Sequence, residues 1–235
     1  MSFKTFPTKR GLYDPSNEKD SCGVGFVANM KGNPDHQIVL DALEMLERME
    51  HRGGCGCEPN TGDGAGILVG LPEGFLRKVA KQDLGLDLPS KGQFGAGLVF
   101  LPQDVDQRNK CVAAVEKIIE DHGQVCLGWR DVPVCTEEAN VGPAARAAEP
   151  FIKQLFIGAA NGIEGDDFER QLYIIRKRAS HQLRFDMDLS ERLLFYICSL
   201  STKVMIYKGM LNTAQVLKYF SDLANPDFEL SLIHI

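Results

Sequence analysis

Strand-like apolar runs outnumber the amphipathic helical stretches between them, and this imbalance constrains the fold more than any other feature of the chain. The runs fall at 22–28, at ILVGL (Ile67 to Leu71), at FGAGLVFL (Phe94 to Leu101), and at 124–129, 151–159, 192–199 and 203–207. Helical spacing is seen over 38–49, 73–82, 104–121, 166–183 and 213–223. A plain alternation of strand, helix and parallel strand would match the two numbers. The excess of strands predicts sheet packed on sheet with helices outside, an α+β arrangement. The first helix carries Ile38, Val39, Ala42, Leu43, Leu46 and Met49 on one face, behind an Asp35 cap, and ends at Gly53-Gly54. The helix over 104–121 carries Val105, Cys111, Val112, Val115, Ile118 and Ile119 on one side in the same way. The turn-rich stretch 136–150 is a connection rather than a boundary, because apolar periodicity resumes on both sides. Residues 1–21, broken by Pro7, Gly11 and Pro15, are an irregular leader. From Cys22 the order Gly23, Val24, Gly25, Phe26, Val27, Ala28 predicts a strand buried on both faces.

Charge and composition remove several classes of function. At 235 residues, 44% apolar and 25% charged, the chain has enough material for a real core. Its net charge of -6 argues against a nucleic-acid binder. The run IIRKRASHQLR reads as a solvated helix face. No apolar run approaches the roughly 18 residues that a membrane helix needs, and the leader has no apolar core of a secretion signal. Seven cysteines without regular spacing fit a reducing cytosol better than a disulfide framework.

Cys22 admits two readings. A free cysteine is ordinarily a small buried hydrophobe. If the chain is cut after Ser21, however, Cys22 carries a free α-amine that titrates near ~7.7–8.0, close to a thiol at ~8.5. One residue then holds both nucleophile and general base. In the uncut chain that nitrogen is an amide without useful basicity. The loop GGCGCEPNTGDGAG is not a dinucleotide fingerprint, since a helix precedes it and a strand follows, the reverse of what that motif needs. It is either a set of turns or a place where backbone N–H groups approach a ligand. Arg52, at the helix end, either complements the helix C-terminus or holds a carboxylate with its planar fork of donors. His51 beside it is read as structural. Cys55 and Cys57 are too closely spaced for a structural zinc pair and are left unassigned. Cys111, Cys126, Cys135 and Cys198 are read as core.

CGVGF, ALEMLERMEHRGGCGCEPNTGDGAGIL, FERQLYIIRKR and VMIYKGML, in this order and spacing, resemble the start of the glutamate synthase large subunit. That segment is a glutamine amidotransferase domain of class II, the N-terminal-nucleophile type, and the resemblance runs from about Tyr13 to about Phe220. It implies a four-layer αββα sandwich and a propeptide, here 1–21, whose removal exposes Cys22 as the catalytic residue. It further implies attack of the Cys22 thiolate on L-glutamine, a thioester, and ammonia passed on for reductive amination of 2-oxoglutarate. Arg52 matches a substrate-binding position. No cofactor is implied in this segment. The parent family uses FMN, an iron–sulfur cluster and NADPH or ferredoxin in downstream synthase domains of the same polypeptide, and a small reductase subunit belongs to some of its assemblies. The implied location is the cytoplasm.

Residues 22–229 are thus expected to be the N-terminal part of the amidotransferase domain. Beyond Glu229 the family continues into an HSRFSTNT-like strand and an Asn-Gly turn that hold the substrate carboxylate and the oxyanion. This sequence instead reads LSLIHI, which also matches a translated transposase adapter end. Residues 230–235 are therefore expected to be a non-native tail on a fold incomplete at its C-terminus, and the isolated chain is expected to be inactive; loss of an oxyanion donor alone costs about 10² to 10³ in rate. The alternatives are another class-II amidotransferase and a non-catalytic α/β module.

Overall fold

The computed structural model describes residues 9–11, 14, 23–50 and 58–234, the last three of these through their backbone. Two four-stranded antiparallel sheets organise the chain. The first has the order β1 (Phe26–Ala28), β8 (Leu232–His234), β2 (Ala65–Gly70), β7 (Val204–Gly209). The second has the order β4 (Val125–Asp131), β5 (Phe151–Gly158), β3 (Phe94–Leu101), β6 (Tyr196–Ile197). Helices α1 (Gln37–Arg48), α2 (Glu73–Leu84), α3 (Val105–Asp121) and α5 (Gly165–His181) are the long ones, with short α4 (Pro143–Ala147) and α6 (Val216–Tyr219). β8 comes from the stretch read above as a tail, and it sits between β1 and β2.

β3 is apolar at nearly every position because both of its faces are covered. Phe94, Ala96 and Leu98 point into one cluster with β2, β7, α1 and α2. Val99 and Leu101 join a second cluster with α3 and α5. This two-sided burial replaces the in–out alternation of a half-solvated antiparallel strand. Helix α5 meets the second cluster through Phe168, Leu172, Ile175 and Ala179, a stripe of three- and four-residue steps. Asp104 starts α3 by accepting from the Gln107 amide at 2.8 Å. Asp35 accepts from the Gln37 amide at 2.9 Å and so starts α1 as expected.

Three expectations need correction. The strand after Cys22 is not buried on both faces. Among the described residues β1 is an edge strand paired with β8 alone, and its alternation puts Phe26 outward at 70% exposure while Val27 packs on the core. The run 192–199 yields only a two-residue strand, since a helical turn occupies Arg192–Leu194. Beyond Ile197 this run crosses β3 too closely for side chains. A Cβ on Gly97 would lie 1.7 Å from the Ser199 carbonyl. The helix expected over 213–223 is broken at Phe220, because Tyr219 accepts from the Cys135 amide at 2.9 Å and Phe220 bridges Val134. Backbone groups committed to those strand-like bonds cannot continue a helix.

A buried ionic network closes the core. Arg130, 5% exposed, donates to both oxygens of Asp222 at 2.8 and 2.9 Å and through Nε to Asp83 at 2.6 Å. The Tyr207 hydroxyl donates to Asp222 at 3.2 Å. Burial alone disfavours the Arg130 charge, but the Asp222 carboxylate outweighs it and holds the guanidinium pKa above its usual value. Burial, with the Asp222 charge second, raises the Tyr207 hydroxyl well above its own.

Asp222→Ala leaves a buried guanidinium with only the half-exposed Asp83 carboxylate and a long bond to Gln154, so it is expected to destabilise the fold by about 3–5 kcal/mol, read as a lower denaturant midpoint. A loss below about 1 kcal/mol would mean the pair is not buried as described. Gly97→Ala should lower the thermal midpoint more than Gly95→Ala. The added methyl meets a backbone carbonyl in the first case and the movable Leu172 side-chain end in the second. Equal losses would remove the close crossing at Ser199.

Candidate active site

Cys22 immediately precedes the described residue Gly23, and Arg52 belongs to 51–57 together with His51, Cys55 and Cys57. These residues lie outside the described part of the chain. What the structure fixes is the chain on either side of them. α1 ends at Arg48 with Met49 as its cap, whose N–H reaches back to Leu46 and Met45. The chain is described again from Glu58.

From Glu58 to Gly62 the backbone is held on two sides. Glu58 Oε2 accepts from the Thr61 hydroxyl at 2.7 Å and from the Ala144 amide, at the start of α4, at 3.1 Å. The Thr61 bond, then that amide, keep the Glu58 carboxyl below its usual pKa. The Asn60 carbonyl accepts from the Gly142 amide at 2.9 Å and from Gln215 Nε2 at 2.9 Å. The fit leaves no spare volume. A Cβ on Gly142 would come within 2.1 Å of the Thr61 hydroxyl, and one on Gly62 within 2.2 Å of the Leu211 carbonyl.

Leu211 also lines an apolar cleft of about 200 Å³ with Phe100, Ile152, Leu194, Tyr196 and Met210. Two hydrogen-bonded pairs mark its rim. Lys208 Nζ lies 3.1 Å from the Tyr196 hydroxyl, and the Tyr219 hydroxyl donates to Glu149 at 2.7 Å. Burial and then Glu149 raise the Tyr219 pKa, so this phenol keeps its proton. The cleft therefore offers apolar contact and hydrogen bonding, with no cysteine, serine or threonine among its lining residues.

Three of the described cysteines are poor nucleophiles. Burial pushes the thiols of Cys111 and Cys126 up to about 11 and that of Cys198 up to about 12. Cys135 lies 3.2 Å from the Ser221 hydroxyl. Cys111 and Cys198 are buried as read from the sequence; Cys126 and Cys135 are half-buried at the margins of the packing. At pH 8 a thiol titrating at 11 is about one part in a thousand thiolate. Brief alkylation of the native protein at pH 8, mapped by mass spectrometry, should leave Cys111 and Cys198 unmodified. Labelling of either at the rate of a free thiol would contradict their burial.

Gln215 was not anticipated from the sequence, although a signal for it exists. Asn212-Thr213-Ala214-Gln215 ahead of the apolar run VLKYF is a capping-box pattern, and the box forms: Asn212 accepts from the Gln215 amide while Gln215 Oε1 accepts from the Asn212 amide. Its further bonds to Asn60 and Asn140 have no local signature. Nor do the partners of Arg130, which lie 47 and 92 residues away.

Two antiparallel sheets with helices packed on them are consistent with the frame of a class-II glutamine amidotransferase. The family model for class-II glutamine amidotransferases matches residues 22–235, and the chain belongs to this enzyme family. It is similar to the glutamate synthase [NADPH] large chain of Bacillus subtilis (strain 168), with 42% identity over 237 residues that cover 100% of this chain and 15% of that protein. It is likewise similar to glutamate synthase [NADH] of Saccharomyces cerevisiae, 41% over 239 residues, covering 97% of this chain and 11% of the relative. Ferredoxin-dependent glutamate synthase 2 of Synechocystis is 37% identical over 211 residues, covering 90% and 13%. The chain thus spans between 11% and 15% of the length of these relatives.

Proposed function

We propose that this segment is the glutaminase part of a glutamate synthase, and that Cys22 becomes its nucleophile when residues 1–21 are removed. The observation that carries this reading is that the family match begins at Cys22 itself, the residue that cleavage would place at the N-terminus. The released α-amine takes the thiol proton, and the thiolate attacks the side-chain amide carbon of L-glutamine. The same amine returns the proton to the leaving nitrogen, so ammonia departs and a γ-glutamyl thioester remains. Water, activated by the amine, then releases glutamate and restores the thiol. Arg52 holds the substrate without entering the bond changes. Its planar donors pair with a carboxylate in two-point fashion. The two sheets with α3 and α5 outside the second support a four-layer αββα arrangement for the complete domain.

Ammonia made here is passed to other parts of the synthase polypeptide for reductive amination of 2-oxoglutarate. The relatives' names carry NADPH, NADH or ferredoxin in turn, so the reductant is a property of the rest of the molecule. Among the described residues no group of three or more His, Cys, Asp or Glu is placed to hold a metal ion. No step here runs through an iron–sulfur cluster or through FMN. Among the same residues no helix is long and apolar enough to cross a membrane.

Intact-mass and N-terminal analysis of the mature polypeptide should find it starting at Cys22. Cys22→Ala and Cys22→Ser should abolish glutamine hydrolysis; retained turnover would sink the assignment. Arg52→Ala should raise KM for glutamine about 10- to 100-fold, the range of a lost hydrogen bond to a charged group, with kcat much less affected. Because the base acts unprotonated, kcat/KM should fall as pH drops below about 7.7–8.0. A profile flat down to pH 6 would exclude the α-amine.

A further inference from the structure

The apolar cleft beside Leu211 carries two charges that the glutaminase chemistry leaves unused. It lies between β7, last in the first sheet, and β6, last in the second, with α4 and the residues after it along a third side. Lys208 Nζ sits 4.2 Å from the centroid of the Tyr196 ring and donates to the Tyr196 hydroxyl at 3.1 Å. That ring in turn packs on Phe100, with centroids 6.2 Å apart. The ammonium is thus held in place, while its other N–H groups and the Tyr196 O–H remain able to donate. On the Glu149 side, Oε1 alone accepts from both the Thr136 hydroxyl at 2.6 Å and the Tyr219 hydroxyl at 2.7 Å. Oε2 accepts from none of the described residues. Arg146 acts on this carboxylate from a distance, since its own guanidinium is forked onto Glu137.

Among the described residues neither charge has an ion-pair partner, and the two do not pair with each other, although both line one cleft of about 200 Å³. A charge beside apolar surface loses solvation that nothing nearby returns. A ligand carrying both counter-charges on one small apolar body returns it at both ends. The volume lies below the roughly 300–1,000 Å³ of sites for drug-sized molecules, which excludes a nucleotide or a flavin. An internal peptide segment brings no backbone charge, and a polyanion meets Glu149 with the wrong sign. We propose that this cleft is a binding site for a small α-amino acid with an apolar side chain. Its carboxylate accepts from Lys208 Nζ and the Tyr196 O–H, its ammonium donates to Glu149 Oε2, and its side chain lies among Ile152, Leu194 and Leu211. None of these groups takes part in the Cys22 chemistry, so the site stands apart from the glutaminase reading.

Calorimetric titration of the whole polypeptide that carries this segment, with L-leucine as the probe, tests the site. L-Leucine should bind with a Kd below about 1 mM, the range open to a ligand of few non-hydrogen atoms. Isocaproate, which lacks the amine, and isoamylamine, which lacks the carboxylate, should each bind about ten-fold more weakly or worse, since each leaves one charge unpaired. L-Alanine should also lose about ten-fold or more, because side-chain carbons are withdrawn from apolar contact. Lys208→Met keeps the side-chain stem, and Glu149→Gln keeps an acceptor for Thr136 and Tyr219. Each should weaken L-leucine by about ten-fold or more with a thermal midpoint close to wild type. Ala148→Trp, at an exposed position on the cleft wall, should abolish binding by filling the space. The proposal is overturned if L-leucine does not bind, or if isocaproate or isoamylamine binds as tightly. It is overturned equally if L-leucine affinity is unchanged in Lys208→Met and Ala148→Trp, which places the amino acid elsewhere on the polypeptide, the glutamine site included. Should Glu149→Gln fail to fold, isoamylamine and isocaproate against L-leucine decide the two charge contacts on the wild-type protein.

Discussion

The contact on which the remaining architecture depends is the pairing of Arg130 with Asp222. Arg130 stands on β4 in the second sheet, Asp83 comes from α2, Tyr207 from β7 in the first sheet, and Asp222 from the turn after α6. Four parts of the chain meet at one guanidinium. Burying such a pair costs solvation that its attraction repays only when the geometry is complete. The network thus contributes less to net stability than to uniqueness, because any arrangement that omits one partner strands a charge in the interior. The rings of Phe75, Phe220 and Phe228 around Tyr207 and Arg130 keep water from compensating.

That constraint reaches the Glu58–Gly62 turn by a short route. The stretch from Asn212 to Leu230 contains no long helix, and its course is set by what it is tied to. Tyr219 is tied to Glu149 and Cys135, Asp222 to Arg130, and Leu230 to Asp35 ahead of α1. With its end fixed in the core, this stretch places Gln215 against the Asn60 carbonyl. It ends beside β8, which pairs with β1.

Legibility in the sequence followed how local the cause was. FGAGLVFL is β3 residue for residue, and α3 and α5 fall within a residue or two of their expected limits, since side-chain periodicity is written in consecutive residues. Asp35 was readable as a cap for the same reason. β6 was overread because the apolar run 192–199 looks like a strand, while Gly97 and Ser199 approach so closely that regular pairing ends after two residues. The helix expected over 213–223 was overread because its spacing is helical, whereas the carbonyl of Tyr219 is claimed by Cys135, 84 positions earlier. β1 was misjudged in burial and not in type; nothing in GVGFVA announces an edge position.

The sequence by itself determined the class of most elements, the packing of sheet on sheet, and the chemical candidates. A cysteine that cleavage would furnish with its own base, and an arginine beside a glycine-rich turn, are properties of covalent order and need no fold to be read. Only the tertiary structure decided which polar groups are buried and with whom. Arg130, Asp222 and Gln215 look like ordinary surface residues in the sequence, since nothing nearby in the chain distinguishes a solvated side chain from one that must be satisfied inside. Their partners lie tens of residues away, and burial without water is what turns such distant contacts into requirements.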